Sequence, residues 1–359
     1  MTSDKIRLGF LCAHNPLNRG AFSGTPFYML RALQARSDVE VTVLGRYKAP
    51  NALTRVTRRL WSEPVPRLSD IREHVLDAIV APVSSGLVAE LGPKVEAPMT
   101  LVTDATPQFL REFYGDPVPL EADVQEEAAL QAAAQVIYSS DFMRQRAMQE
   151  FAHLDLPPLK AFPFGVNLDE LPAKAPQKPS LDKVNLLFIG VHWQRKGGDQ
   201  ALAALDVLRT QGVNAHLTVI GSTSPEADAH PHVTVLGYIN KNDPKDAATL
   251  NKALAAAHVF VLPTRADCTP MVVAEANAYG CPVVITRTGG IPSLIKDGVN
   301  GLMVDEASDA TQIAATIQNV IAADTTYAAL SASSFEFCHK NLTWDAWCDA
   351  FLASVRSGI

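Results

Sequence analysis

The chain has 359 residues, of which 47% are hydrophobic and 19% charged. This length exceeds what one hydrophobic core usually serves, so two domains are expected, and the composition excludes a disordered protein. The formal net charge of -7 argues against a nucleic acid partner. Five cysteines without a C-x-x-C pair, and no secretory segment, predict reduced thiols and a cytoplasmic protein.

Short apolar runs alternate with helical patterns in the first half, which is typical of a parallel sheet covered by helices. The predicted strands lie at residues 6–12, 39–44, 76–81, 99–102 and 136–139. Pro26 suits the first turn of a helix after the first strand, and Phe27, Leu30 and Leu33 repeat at helical spacing.

A second series of strands follows a proline-containing segment, 169–183, which has little apolar periodicity and is predicted to be a linker. It separates a first domain, 1–168, from a second, 184–339. The second series is predicted at residues 184–189, 216–220, 233–236, 259–262 and 283–285, with helices from about 198, 247, 271 and 310. The predicted fold class is α/β with two Rossmann-like domains.

The end of the chain, 340–359, carries a large apolar stripe. Its members on one helical face are Trp344, Trp347, Phe351 and Val355. Such a stripe is too large to leave in water, so this helix is expected to dock, and the first domain is the expected surface.

A basic segment surrounds Trp61 in the first half. Its cationic residues are Arg46, Lys48, Arg55, Arg58 and Arg59. A solvated surface is the ordinary interpretation, and contact with anionic lipid head groups, as a peripheral protein at the inner membrane face, is the alternative.

Two acids, Asp267 and Glu275, lie eight residues apart around a predicted strand, loop and helix junction. The loop and helix start, with Thr269, Met271 and Val272, supply free N–H groups that attract a phosphate or a sugar oxygen. The spacing suits one carboxylate for a sugar and one for a ribose diol.

This segment, together with the Gly289-Gly290 turn that follows, resembles the E-x7-E motif of family 4 retaining glycosyltransferases, with Asp267 in place of the first Glu. The resemblance implies a GT-B fold, in which two Rossmann-like domains face a cleft. It implies a UDP-sugar or GDP-sugar as donor substrate and no cofactor. By the same resemblance Glu275 holds the ribose, Asp267 lies by the transferred sugar, and the Gly289-Gly290 turn is part of the donor site.

A second match, residues 188–198, ends a strand and opens a helix, where that family places the basic residues that hold the donor diphosphate. The resemblance assigns this role to Arg195 and Lys196, with Gly190 and His192 on the donor side. Val191 stands where the family more often has Arg. The turn that contains Tyr238 resembles a further donor-side loop, where the backbone meets the base.

Two residues of the first half complete the resemblance. Gly24 lies in a loop similar to the glycine-rich loop that faces the leaving diphosphate, although a plain turn remains an alternative. Asp104 stands where many relatives carry a His beside the reacting sugar, which exchanges a switchable base for a fixed anion. The acceptor, a glycan, a lipid or a small molecule, is expected on this first domain.

Metal chemistry is not expected. His230 and His232 have no third ligand at a useful spacing, and no two aspartates lie two residues apart. Arg195, Lys196 and helix N-terminal amides would supply positive charge instead, which predicts a retaining, metal-independent hexosyltransferase.

Two alternatives from other classes remain open. One is a GT-B isomerase that acts on a sugar nucleotide without an acceptor. The other is a catalytically silent sugar-nucleotide binder, and the departures from the family pattern at Asp267 and Pro270 would then reflect the loss of catalysis. A dinucleotide oxidoreductase is disfavoured because no G-x-G-x-x-G follows the first strand.

Overall fold

The computed structural model describes residues 5–48 and 65–358. The chain forms two compact units, of which the first comprises Met1–Gly165 and Trp344–Ile359 and the second Val166–Thr343. Arg55, Arg58, Arg59 and Trp61 of the basic segment lie outside the described residues. Over the described part of the chain, no helix is both long and apolar enough to cross a bilayer.

The first unit is built on a parallel sheet of six described strands in the order β2-β1-β3-β4-β5-β6. The strands are β1 (Ile6–Leu11), β2 (Val39–Leu44), β3 (Ala78–Pro82), β4 (Met99–Thr103), β5 (Gln135–Tyr138) and β6 (Leu159–Ala161). The five predicted strands are confirmed, with ends displaced by at most two residues. The sixth was not predicted, because its three residues are only half-buried and too few to form an apolar pattern.

The helices of the first unit follow the strands in the alternation that the sequence predicts. They are Thr25–Ala35, Leu68–Arg72, Ser85–Leu91, Pro107–Phe109, Glu121–Ala132, Asp141–Glu150 and Trp344–Arg356. Pro26 lies in the first turn of its helix, where the missing N–H costs nothing. The Ser140 hydroxyl caps the helix Asp141–Glu150 by accepting a hydrogen bond from the Met143 N–H.

The terminal helix, Trp344–Arg356, packs within the first unit. Trp344, Trp347 and Phe351 of the apolar stripe are buried, and Val355 is half-buried. At its surface, the Arg36 guanidinium lies 2.6 Å from the Asp349 carboxylate. Inside, the Gln135 side chain donates a hydrogen bond of 2.9 Å to the Ser354 hydroxyl. This helix and the strands are therefore held by both apolar burial and buried polar contacts.

A carboxyl group lies in the interior of the first unit. Glu126, on the helix Glu121–Ala132, is 3% exposed. Burial raises its pKa to about 7, a hydrogen bond with Ser85 opposes the rise, and the nearby carboxylates of Glu150 and Asp123 add to it. Burial, together with the nearby carboxyl groups of Glu126 and Glu150, also raises the pKa of the Tyr138 hydroxyl. Near neutral pH the Glu126 carboxyl group is therefore partly protonated inside the folded first unit.

The second unit has its own parallel sheet of six described strands, in the order β12-β11-β10-β7-β8-β9. The strands are β7 (Val184–Gly190), β8 (Ala215–Gly221), β9 (Val233–Val235), β10 (Val259–Leu262), β11 (Val283–Thr286) and β12 (Gly301–Val304). The five predicted strands of this half are confirmed, and β12 was not predicted.

The helices of the second unit lie between and after these strands. They are Trp193–Lys196, Gly198–Thr210, Pro225–Ala229, Pro244–Ala256, Met271–Ala278, Ala310–Val320 and Asp324–Asn341. The four predicted helices are among them. The long helix Asp324–Asn341 was not predicted, because two of the four residues it buries, Ser331 and Ser334, are small and polar.

The order of the second sheet places a particular pair of loops together. β7 and β10 are neighbours, and the chain runs from β7 to β8 on one side and reaches β10 on the other. In open parallel sheets, ligands bind outside the carboxyl ends of the strands at such a switch point. The loops that follow β7 and β10 are therefore the expected position of a ligand site in this unit.

Candidate functional site

The loop after β7 makes a sharp turn that requires a glycine at position 197. Gly190 ends the strand, the short helix Trp193–Lys196 follows, and Gly197 has a φ of 74°. A Cβ atom on Gly197 would lie 1.9 Å from the carbonyl oxygen of Pro263, the residue after β10. Because only glycine fits both the backbone angle and this close approach, the basic turn lies directly against the end of β10.

Lys196 and Asp267 meet as a result. The Lys196 Nζ contacts the Asp267 Oδ2, and the two side chains are 13% and 5% exposed. A Cβ atom on Gly190 would lie 2.9 Å from the Lys196 side chain, so the bare glycine leaves room for the lysine stem. This cation and this carboxylate are 71 residues apart in the chain.

The neighbouring basic residue, Arg195, makes different contacts from Lys196. The Arg195 guanidinium donates a hydrogen bond of 2.8 Å to the carbonyl oxygen of Ala266, the residue before Asp267. The Arg195 carbonyl oxygen in turn accepts from the Thr264 hydroxyl at 3.1 Å. Arg195 therefore holds the loop that carries Asp267, whereas Lys196 meets the carboxylate itself.

Glu275 lies one turn inside the helix Met271–Ala278 and is 1% exposed. Its Oε1 lies 2.5 Å from the Lys241 Nζ. Its Oε2 is buried and has no hydrogen-bond partner among the residues that the structure describes. Lys241 lies on the loop between β9 and the helix Pro244–Ala256. It was not predicted from the sequence, because it is 34 residues from Glu275 and belongs to no local pattern that would indicate a buried ion pair.

Further residues predicted for the donor site lie near Asp267. Gly290 donates a backbone hydrogen bond of 3.2 Å to the Asp267 carbonyl oxygen, and Gly289 has a φ of 52°. The Thr288 hydroxyl oxygen beside them is buried and without a partner within the described residues. Thr269 and Met271 are each 8% exposed, and Val272, which follows in the first turn of the helix, is half-buried.

Two predicted donor residues have exposed side chains. His192 caps the short helix through its carbonyl oxygen, which accepts from the Lys196 N–H at 2.9 Å, and its ring faces solvent. Tyr238 is 68% exposed on the loop that leads to Lys241. Among the described residues, neither side chain forms a hydrogen bond or ion pair with the two lysine–carboxylate pairs.

Gly24 and Asp104 lie in the first unit, on the loops that follow β1 and β4. The loop before Gly24 is strained: Phe22 and Ser23 have φ values of 49° and 56°, and Gly24 has 91°. A non-glycine residue in this region costs of order 1 to 3 kcal/mol and is concentrated at functional sites. A Cβ atom on Gly24 would also lie 2.9 Å from the Arg19 carbonyl oxygen.

His230 and His232 form hydrogen bonds within the second unit. His230 Nε2 lies 2.9 Å from an oxygen of Asp206, and its Nδ1 accepts from the His232 N–H at 3.1 Å. In residues 5–48 and 65–358, no group of three or more His, Cys, Asp or Glu side chains is arranged to hold a metal ion.

The edge of the second sheet thus holds two buried carboxylates, each paired with one lysine, next to a helix N-terminus. Asp267 and Glu275 can accept hydrogen bonds from hydroxyl groups, while Lys196 and the free amides of the helix start can hold an anion. A ligand with both hydroxyls and phosphates matches this arrangement.

Comparison with known proteins leads in the same direction. Residues 183–323 match the family described as Glycosyl transferases group 1, a range that contains both lysine–carboxylate pairs. The D-inositol 3-phosphate glycosyltransferase of Segniliparus rotundus is 27% identical over 260 residues, which cover 67% of this chain and 57% of that protein. The chain thus spans less than two thirds of the length of the first curated relatives it matches.

Solved structures extend the likeness to the whole chain. Sucrose-phosphate synthase from Thermosynechococcus elongatus superposes with a TM-score of 0.69 at 16% identity, over 99% of this chain and all of that one. The Anabaena protein HepE in complex with UDP superposes with a TM-score of 0.65 at 17% identity, over 97% of this chain and all of that one. The chain therefore has the GT-B fold, and it resembles the group 1 glycosyltransferases in the part of its sequence that builds the candidate site.

Proposed function

We propose that the protein is a retaining glycosyltransferase that moves a hexose from a nucleoside diphosphate sugar to an acceptor hydroxyl. The observation that carries the proposal is the pair of lysine–carboxylate contacts at the carboxyl edge of the second sheet, Lys196 with Asp267 and Lys241 with Glu275. The match to the group 1 glycosyltransferases covers all four residues and supports it.

Each residue has a part in the proposed reaction. Lys196 and the amides at the start of the helix Met271–Ala278 stabilise the negative charge that grows on the leaving diphosphate. Asp267 accepts hydrogen bonds from the hydroxyls of the transferred sugar, and Glu275 accepts them from the ribose diol. Arg195 keeps the Asp267 loop in place through its bond to Ala266.

The chemical step is a substitution at the anomeric carbon. The bond from that carbon to the diphosphate oxygen breaks, and its electron pair leaves with the diphosphate. The acceptor hydroxyl oxygen bonds to the carbon on the same face, and its proton passes to the leaving diphosphate. Asp104, in the first unit, is the proposed residue on the acceptor side, and the acceptor is a glycan, a lipid or a small molecule. We propose no metal ion, because Lys196 and the helix amides supply positive charge at the leaving group.

The first experiment is a thermal unfolding screen with UDP, GDP and ADP. A nucleotide at about a hundredfold its dissociation constant stabilises the protein by roughly 2.7 kcal/mol. Incubation with a panel of UDP-sugars and GDP-sugars and mixed acceptors then follows, with mass spectrometry for new glycosides and NMR for anomeric configuration. Silence across all three nucleotides refutes the proposal. Product from donor alone would indicate an isomerase, and binding without turnover a silent binder.

A second experiment separates the two acids. Glu275→Gln is expected to weaken binding of the bare nucleoside diphosphate, because it removes a charge-assisted bond to the ribose that this ligand carries. Asp267→Asn is expected to leave that binding nearly intact and to depress transfer, because its hydroxyl partners are present only in the donor sugar. Equal loss of nucleotide affinity in the two variants contradicts this division of roles.

A further inference from the structure

Lys241 joins three separate segments of the second unit. It lies on the loop after β9, its Nζ lies 2.5 Å from the Glu275 Oε1, and it also donates to the Asn167 carbonyl oxygen at 3.3 Å. The Lys241 side chain is 21% exposed and that of Glu275 is 1% exposed. The lysine therefore covers the carboxylate and also reaches the segment where the second unit begins.

A carboxylate buried to this degree requires a counter-charge. An ionised group removed from water is strongly destabilising unless it is paired and hydrogen-bonded. Lys241 is the cation that the structure places on Glu275, since no other ion pair of this carboxylate is formed among the described residues. Without the lysine, the carboxylate would be left as an unpaired buried charge.

The two oxygens of Glu275 are not equivalent. Oε1 is occupied by Lys241, whereas Oε2 is buried without a partner inside the described part of the chain. A carboxylate oxygen accepts two hydrogen bonds, and a vicinal diol offers two O–H donors. Oε2 is thus the oxygen left for such a ligand.

The loop that carries Lys241 is held by its own hydrogen bonds. The Asn240 N–H donates to the Asp246 carboxylate at 2.9 Å, and the Asn240 side-chain oxygen accepts from the Asn242 N–H at 3.0 Å. These bonds lie directly on both sides of Lys241. These bonds hold the loop backbone that carries Lys241, and its ammonium group is held by the Glu275 carboxylate and the Asn167 carbonyl oxygen.

We propose that Lys241 is a positioning residue for nucleotide recognition: it holds the Glu275 carboxylate by Oε1, so that Oε2 is presented to the ribose diol of the donor. This inference rests on the proposed function, since it assumes that Glu275 binds a ribose. The inference assigns a role to Lys241, for which neither the sequence patterns nor the match to the glycosyltransferase family indicated one. Its consequence is that selectivity for ribose over 2′-deoxyribose depends on Lys241 as well as on Glu275.

The test compares ribonucleotides with their 2′-deoxy counterparts. Dissociation constants of UDP, GDP and ADP, and of dUDP, dGDP and dADP, are measured by titration calorimetry for the wild type, Lys241→Met and Lys241→Arg. The matched control is Lys245→Met, the same substitution on an exposed lysine of the adjacent helix. Thermal unfolding of each variant without ligand reports whether the second unit remains folded.

The wild type is expected to prefer the ribonucleotide by roughly tenfold or more, the size of one hydrogen bond to a charged group. Lys241→Met is expected to lose most of that preference, Lys241→Arg to keep it, and Lys245→Met to equal the wild type. A merely structural role would weaken both sugars equally and leave the ratio unchanged.

Three results overturn the inference. A preference unchanged in Lys241→Met shows that Glu275 needs no positioning by this lysine. Tighter ribonucleotide binding in that variant shows that the lysine competes with the diol. Failure of the wild type to bind any of the six nucleotides would refute the proposed function itself. The titration of the wild type alone distinguishes this result from the first two.

Discussion

Replacing Glu126 with Gln provides a quantitative test of the buried carboxyl in the first unit. Glu126 has a pKa of about 7 in the folded protein, against 4.5 for the exposed side chain. Between these values the folded state holds a proton that the unfolded state has released. The free energy of unfolding therefore falls as pH rises through this window, by about 1.4 kcal/mol per pH unit. The loss reaches about 3 kcal/mol at and above neutral pH and then stops.

Glu126→Gln removes this titration while keeping the size of the side chain. We expect the free energy of unfolding of the variant, relative to the wild type, to increase by about 2 to 3 kcal/mol between pH 5 and pH 8. Taking the difference between the two proteins cancels the titrations that they share. Glu121→Gln, an exposed change on the same helix, is the control and is expected to follow the wild type at both values.

Urea unfolding followed by tryptophan fluorescence measures the effect. Of the four tryptophans, Trp193 alone belongs to the second unit, so a Trp193→Phe background confines the signal to the first unit. A difference between Glu126→Gln and its parent that is the same at both pH values would show that the folded protein holds no extra proton there. The burial argument for this side chain would then be wrong.

Three further changes test the second unit. Lys196→Met should lower the turnover number at saturating donor roughly a hundredfold, as for loss of one oxyanion donor, and an unchanged value would exclude Lys196 from leaving-group stabilisation. Gly197→Ala should lower the free energy of unfolding by several times the roughly 1 to 2 kcal/mol expected of Gly212→Ala. Both glycines have a positive φ, but only Gly197 would place a Cβ atom 1.9 Å from a backbone oxygen. Equal urea midpoints of the two variants would contradict this. Burial raises the pKa of the Cys281 thiol to about 11 and that of Cys338 to about 12, so neither should react with iodoacetamide at pH 8 until the protein unfolds, and rapid native alkylation found by mass spectrometry would refute their burial.

The period of the apolar residues was sufficient to predict ten strands and the alternation of strands with helices. It also predicted that Glu275 lies one turn inside a helix, because its position follows from local spacing alone. The stripe at Trp344, Trp347 and Phe351 indicated a docked helix for the same reason. Short strands such as β6 and the helix Asp324–Asn341, whose buried face includes small polar residues, have no such period and were missed.

The pairing of charges was decided only by the tertiary structure. Arg195 and Lys196 are adjacent and equally cationic in the sequence, yet the first bonds to a backbone oxygen and the second to Asp267, because Gly197 lets the turn approach Pro263. Lys241 is 34 residues from Glu275, and nothing in its local sequence distinguishes it from a solvated lysine such as Lys245. Local periodicity reports which face of an element is buried, whereas the partner of a buried charge depends on how distant loops meet at the edge of the sheet.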